Sequence, residues 1–293
     1  MASFSGTLGH YLSLVKFSHT IFALPFALLG FFLATLDNGY LSWIKLLLVV
    51  ACMVFARSAA MGFNRYLDRH IDGRNPRTAV RELPAGVIGA TAARNFVFLN
   101  ALLFMAAAAA LNTLCLLLSP VALAVVLGYS YTKRFTYLCH FVLGLGLALA
   151  PIGAYLAVTA AWTLLPVLYG VVVLLWVAGF DIIYALQDEE FDRREELYSI
   201  PVRLGTEGAL RLGRLLHVLC AAVLLLALYY QQQRYPEFGT ITFIAGGLFL
   251  VLLGYQHSLV RPGDLSRVDL AFFTTNGVAS LVFGLASIAD IYL

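Results

Sequence analysis

The sequence predicts an all-α polytopic membrane protein with about nine transmembrane helices. Three observations carry this. Of 293 residues, 61% are hydrophobic and 12% are charged, which is about half the charge of an average soluble domain. The apolar residues gather in runs close to the ~20 residues that a helical span needs. No stretch alternates in the strand-like way that an outer-membrane barrel would require.

The runs fall at 14–36, 41–63, 94–117, 119–133, 136–160, 163–187, 211–231, 239–259 and 268–290. The first carries His19 and Pro25, and the second carries Arg57. The third includes the alanine run 106–110. The fourth is short and ends with Tyr129 and Tyr131. The fifth holds Gly144, Gly146 and Gly153, which together with the alanines read as close helix packing. The sixth contains Asp181. The last three are further apolar runs.

This composition excludes a water-soluble enzyme and the disordered, collagen-like and coiled-coil classes. A net charge of +3 is no nucleic-acid signature. Cys52, Cys115, Cys139 and Cys220 lie in apolar runs without CxxC spacing, and read as small buried hydrophobes. The first apolar run reads as the start of the membrane domain and not as a signal peptide.

Of 19 Lys and Arg, 16 fall on one side, at the N-terminus and around the loops after spans 2, 4, 6 and 8. Lys45 and Arg234 lie on the other. The positive-inside rule puts the N-terminus in the cytoplasm and the C-terminus outside. Two polar cytoplasmic loops stand out, 64–93 and 187–210. They hold 10 of the 16 acidic residues, so the chemistry is expected there.

The first loop opens with Asn64, Asp68 and Asp72, each four apart, which share one face if span 2 continues as helix. His70 falls on the far face. Two carboxylates and an amide oxygen make a hard-oxygen surface that suits Mg²⁺. The second loop repeats the spacing in Asp188 and Asp192. Asp181 lies seven positions earlier on the same face, inside an apolar run where an ionisable group marks function by default. One such pair alone reads as a solvated loop or charge pairing. Two copies 120 residues apart read as an internal duplication whose acidic clusters meet across one cavity. The corresponding halves are 14–133 and 136–259, followed by the last helix, 268–290, all in one domain spanning 1–293.

Like carboxylates repel, so the clusters imply cations. Mg²⁺ is usually completed by substrate phosphates, and the inferred ligand is a Mg²⁺-bridged diphosphate. Arg77, Arg81, Lys133 and Arg134 suit phosphate oxygens, although each alone is equally explained by topology or lipid contact.

These segments together resemble the UbiA superfamily of intramembrane prenyltransferases: Asn64-xxx-Asp68-xxx-Asp72, Arg77-Thr78-xx-Arg81-x-Leu83-Pro84-x-Gly86, Tyr131-Thr132-Lys133-Arg134-Phe135-Thr136 and Asp181-xx-Tyr184-Ala185-x-Gln187-Asp188-xxx-Asp192. The resemblance covers nearly the whole chain. It implies helices around a central cavity capped by cytoplasmic loops, in a bacterial-type inner membrane. It implies Mg²⁺-dependent transfer of a polyprenyl chain from its diphosphate to an aromatic hydroxy acid in quinone biosynthesis. By the same resemblance, Asn64, Asp68, Asp72, Asp188 and Asp192 hold Mg²⁺–diphosphate. Arg77, Arg81 and Lys133 contact phosphate, with Arg134 and Gln187 beside the substrate, and Tyr184 lies near the reacting carbon.

Many members that use 4-hydroxybenzoate read Asn-Asp where this chain has Asn64-Arg65. The stretches 16–25 and 57–65 look like a 4-hydroxybenzoate prenyltransferase-like branch associated with the futalosine route to menaquinone. The acceptor is then either 4-hydroxybenzoate or a 1,4-dihydroxy-6-naphthoate type, and no protein partner is implied. The π face of Tyr184 suits an allylic cation, while an interfacial tyrosine is the plainer alternative. His19 fits an acceptor carboxylate or a packing role. Competing classes are a prenyl-diphosphate cyclase, another Mg²⁺-dependent lipid phosphotransferase and a secondary transporter.

Overall fold

The structure is a computed structural model that describes residues 4–15, 22–236 and 238–293. Their regular secondary structure is helical, with no strands among them. Among the described residues, eight helices are long and apolar enough to cross a membrane, and Leu24–Asn38 is a shorter apolar helix. These nine match the expected runs, with several shifted boundaries.

The N-terminal helix α1 (Phe4–Val15) is followed by α2 (Leu24–Asn38). The expected first span, 14–36, is therefore not one described helix. Lys16 and His19 lie outside the described residues. Pro25 sits in the first turn of α2, where its missing N–H leaves no helical bond unmade.

Helix α3 (Trp43–Asp72) starts at Ser42, whose Oγ caps the Lys45 N–H, and continues through the whole first acidic motif. The third and fourth spans break earlier than the predicted 117/119. Helix α4 (Ala90–Leu111) stops before Asn112, and α5 (Thr113–Thr132) starts just after it. The Asn112 amide explains the break. Its Oδ1 accepts from Cys115 N at 2.9 Å, and its Nδ2 donates to Leu156 O at 2.8 Å. A polar cap is stable at this site because a neighbouring helix end satisfies it.

Helices α6 (Cys139–Thr159) and α7 (Leu164–Ala185) pack tightly on each other, and α6 also packs on α2. A Cβ on Gly144 would lie 2.6 Å from Leu174 O, so this crossing requires glycine. Gly153 corrects the packing expectation: a Cβ there meets nothing within 4 Å, because that face of α6 lines an open cavity.

A 3₁₀ turn (Leu186–Asp188) and the short α8 (Glu189–Arg194) follow α7. The second motif is therefore not one continuous helix. The loop also ends sooner than the expected 210. Helix α9 (Ile200–Arg234) begins under the Ser199 cap and bends at Gly205, whose φ of 67° favours glycine. Helix α10 (Thr240–Leu259), a π-helical turn (Leu270–Thr275) and α11 (Asn276–Asp290) complete the chain.

Trp176, Phe26, Phe249 and Phe283 form an aromatic core between α2, α7, α10 and α11. Two buried polar pairs lie in and beside it, as a membrane interior favours. Trp176 Nε1 donates to Asn276 Oδ1 at 2.8 Å, and Tyr169 OH donates to Gln231 Oε1 at 2.5 Å. At the end remote from the motifs, Asp37 accepts from Tyr155 OH, from Tyr235 OH at 2.8 Å and from Arg234 Nη2 at 2.9 Å. That end is clamped, while the motif end holds a cavity.

Candidate active site

The motif ends of α3 and α7 face each other across a cavity of about 280 Å³. On α3, helical spacing sets Arg57, Met61, Asn64, Asp68 and Asp72 along its wall. Asp68 and Asp72 are only 2% and 5% exposed. Charges so buried need partners, and loop residues supply them. Lys133 Nζ lies 2.6 Å from Asp68 Oδ2, and Arg134 Nη2 lies 2.9 Å from Asp68 Oδ1. Arg81 Nη1 is 2.6 Å from Asp72 Oδ1, whereas Asp72 Oδ2 is buried without a partner. Asn64 Nδ2 donates to Asp68 Oδ2 at 3.3 Å.

The 73–89 connection reaches across to the second motif. Arg77 Nε donates to Asp188 Oδ1 at 2.9 Å, its Nη2 to Asp188 Oδ2, and its Nη1 to Tyr184 OH at 3.2 Å. Asn75 Nδ2 adds a bond of 3.0 Å to Asp188 Oδ1. Thr78 Oγ1 holds Asp72 O at 3.0 Å, and Arg74 pairs with Glu195 at 2.6 Å. Burial alone would lower the Arg77 pKa, but the bonds and charge of Asp188 raise it above the ordinary guanidinium value. Arg77 is thus held as a cation between the motifs.

Asp181, Tyr184, Asp188 and Asp192 line the opposite wall. Tyr184 stacks on Phe272 with centroids 4.0 Å apart, and Arg77 Cζ lies 5.5 Å from the Tyr184 ring centre. The π turn that carries Phe272 is held by Asn276, whose Nδ2 donates to Ala271 O at 3.0 Å and Phe272 O at 2.9 Å. Asp181 Oδ2 bonds His140 Nδ1 at 2.7 Å.

Lys133, Arg77 and Arg81 also line the cavity, but Arg134 and Gln187 do not. Arg134 acts on Asp68 from behind. Gln187 turns to Asp269 Oδ1, 3.4 Å away.

Asn75, His140, Phe272, Arg57 and Arg65 also wall the cavity, and none of them belongs to the acidic or basic motifs of the sequence. Arg65 is buried and Arg57 half-buried, and the Nε of each is buried without a partner. Their signal was present in the spacing: residues 57, 61, 64, 65, 68 and 72 form one helical stripe. A second, apolar cavity of about 400 Å³ adjoins the first and shares Arg57, Met61, Tyr129, Leu143 and Leu147 with it.

Among the described residues no three acidic, histidine or cysteine side chains already converge as a metal cluster. That arrangement still fits Mg²⁺, which takes only one or two protein carboxylates beside substrate phosphates. The donors around the cavity are hard oxygens, and Asp72 Oδ2 is buried without a partner.

The sequence pattern of the UbiA prenyltransferase family matches residues 23–278. A 4-hydroxybenzoate octaprenyltransferase of Aliivibrio fischeri is 31% identical over 260 residues, covering 87% of each chain. One of Klebsiella pneumoniae is 33% identical over 247 residues, covering 83% of each. The apo structure of a UbiA homolog from Aeropyrum pernix superposes with a TM-score of 0.81 at 34% identity, covering 93% of this chain and 98% of the other. A UbiA homolog from Archaeoglobus fulgidus bound to DMAPP and Mg²⁺ shares the fold, with a TM-score of 0.74 at 22% identity, covering 97% and 99%. With its motif helices meeting at one charged cavity and this match along most of its length, the chain belongs to the UbiA prenyltransferase family.

Proposed function

We propose that the protein transfers a polyprenyl group from its diphosphate to an aromatic hydroxy acid, with Mg²⁺, at this cavity. One observation carries the reading. Acidic and basic side chains from both motifs share a cavity that continues into an apolar one. A prenyl diphosphate has the same division into a charged head and an apolar tail.

Asn64, Asp68, Asp72, Asp188 and Asp192 would together hold the Mg²⁺–diphosphate. When bound, the metal offsets the charge that grows on the diphosphate oxygens as the C–O bond breaks. Arg77, Arg81 and Lys133, paired with carboxylates in this structure, are placed to take phosphate oxygens as alternative anions. The allylic carbon then points away from the mouth. Tyr184 and Phe272 offer π faces beside it, and the apolar walls exclude the water that would quench the cation. The acceptor ring attacks through the carbon ortho to its hydroxyl.

Arg57 supports an anionic acceptor. It lies 11 residues before Asp68 on α3, roughly 16 Å deeper along the helix axis. An intramembrane guanidinium with an unpartnered Nε suits a carboxylate. This favours a transferase over a cyclase, which needs no anionic second substrate. The relatives' names support an aromatic hydroxy acid of the 4-hydroxybenzoate type, and 1,4-dihydroxy-6-naphthoate has the same carboxylate and phenol chemistry.

The clustered positive charge supports a cytoplasmic motif end and an outside C-terminus. The 120-residue offset of the motifs supports duplicated halves within one domain.

The test is product analysis. Purified protein in nanodiscs receives Mg²⁺, a polyprenyl diphosphate and either acceptor, in separate reactions read by mass spectrometry. A prenylated ring supports the reading and selects the acceptor. Diphosphate release with only cyclic hydrocarbon products contradicts it.

A further inference from the structure

Five carboxylates line the cavity. Asp68, Asp72 and Asp188 are paired with Lys or Arg, and Asp192 belongs to the motif set assigned to Mg²⁺. Asp181 is different. Its Oδ2 meets a histidine, and its Oδ1 has no hydrogen-bond partner among the described residues. Its side chain is 22% exposed, toward the cavity.

The tautomer of that histidine follows from its second bond. Ile200 N–H donates to His140 Nε2 at 3.3 Å, so Nε2 presents a lone pair. Ile200 opens α9, and its N–H is one of the donors a helix start leaves unmatched. The one ring proton of a neutral imidazole then sits on Nδ1 and is donated to Asp181 Oδ2 at 2.7 Å. Because α6 carries His140 and α9 supplies Ile200, two helices fix how the α7 carboxylate is aimed.

Depth matters as well. Asp181 precedes Asp188 by seven residues, about 10 Å further into the membrane if α7 and its 3₁₀ extension are treated as helix. That level lies between the diphosphate-binding mouth and Arg57. The other ionisable groups near the pair are Tyr129 from α5, Cys139 from α6 and Asp192 from α8. None of them is a carboxylate free of the motif set.

We propose that Asp181 is the base that removes the ring proton of the alkylated acceptor, and that His140 is the positioning residue that aims it. This rests on the transferase reading above. The prenyl C1–O bond breaks, and its electron pair leaves with the diphosphate. The ring carbon ortho to the hydroxyl forms the new C–C bond with a π pair, which leaves a cationic ring bearing a C–H at that carbon. Asp181 Oδ1 takes this proton, the C–H pair restores the aromatic ring, and Asp181 passes the proton to the departing diphosphate.

The experiment compares acceptor deuterated ortho to its hydroxyl with unlabelled acceptor, in wild type, Asp181→Asn, His140→Ala and His140→Asn. Binding of a non-ionisable prenyl thiolodiphosphate confirms that each variant is folded. Asp181→Asn is expected to lower kcat by roughly 10²–10⁴-fold, with analogue binding unchanged. It should also show a primary isotope effect larger than that of wild type, because proton loss becomes slow. His140→Ala should show the same signature more weakly. His140→Asn, which keeps an N–H near the Nδ1 position, should recover part of kcat and lose the isotope effect. A wild type that prenylates, beside an Asp181→Asn variant that is fast or slow without the isotope effect, overturns the proposal and leaves the transferase reading intact. A wild type that prenylates no aromatic acceptor overturns both. If Asp181→Asn fails to bind the analogue, the two His140 variants decide by the same isotope criterion.

Discussion

Arg77 Nε donates to Asp188 Oδ1 at 2.9 Å across 111 residues of sequence. The contact joins the loop after the first motif to the head of the second. With the Tyr184 bond, one guanidinium contacts the carboxylate and the aromatic ring that flank the reacting carbon in the proposed mechanism. Arg77→Ala is expected to lower kcat/KM for prenyl diphosphate by about 10- to 100-fold, the value of one or two charge-assisted bonds. Arg77→Lys keeps the charge but loses the fork, and should fall between. Steady-state kinetics at saturating acceptor checks the order.

Arg57 separates the two substrates. Arg57→Ala should raise the acceptor KM by roughly 10- to 100-fold, the loss of one charge-assisted contact. The KM for prenyl diphosphate should stay within about twofold, because Arg57 lies far below the phosphate-binding mouth along α3. Equal loss for both substrates in a two-substrate kinetic matrix would contradict this placement.

Asn276 links the core to the active site. Its amide holds two carbonyls of the π turn and accepts the Trp176 indole N–H. Asn276→Leu leaves a buried donor unsatisfied, at a cost of about 1–3 kcal/mol, and frees the segment that stacks Phe272 on Tyr184. The thermal midpoint in detergent should fall, and kcat should fall further than prenyl diphosphate binding does.

Two glycines on α6 predict opposite outcomes. Gly144→Ala places a Cβ 2.6 Å from Leu174 O and must push α6 off α7, which costs about 1–3 kcal/mol. Gly153→Ala meets nothing within 4 Å and should raise the thermal midpoint slightly, through the roughly 0.5–1 kcal/mol that alanine gains over glycine inside a helix. Thermal unfolding of both variants in one detergent checks the contrast.

These residues show what was legible in the sequence. Asn64, Asp68 and Asp72 could be placed on one face because a single helix carries them and helical spacing is local. Hydropathy marked the spans for the same reason. Asn112 was invisible to it: one polar residue hardly shifts a window average, and its cap works through carbonyls 44 residues away on α6. The His140–Asp181 bond spans 41 residues, and the Arg77–Asp188 bond spans 111. Each depends on which helices become neighbours, a property of packing that no local pattern encodes. Arg65 shows the converse. It reads as a topology charge in the sequence, and burial alone makes it a wall of the cavity.

In the proposed reaction both acidic motifs act on one Mg²⁺-bound diphosphate. The most direct measurement is prenyl transfer by wild type, Asp68→Asn and Asp188→Asn, with Mg²⁺ titrated after removal by a chelator and folding confirmed by thermal unfolding. Wild type is expected to show no turnover without the metal and full recovery on adding Mg²⁺. Neither variant should show detectable turnover at any Mg²⁺ concentration. Turnover that survives chelation, or a folded variant of either motif that keeps wild-type activity, would contradict the proposed reaction.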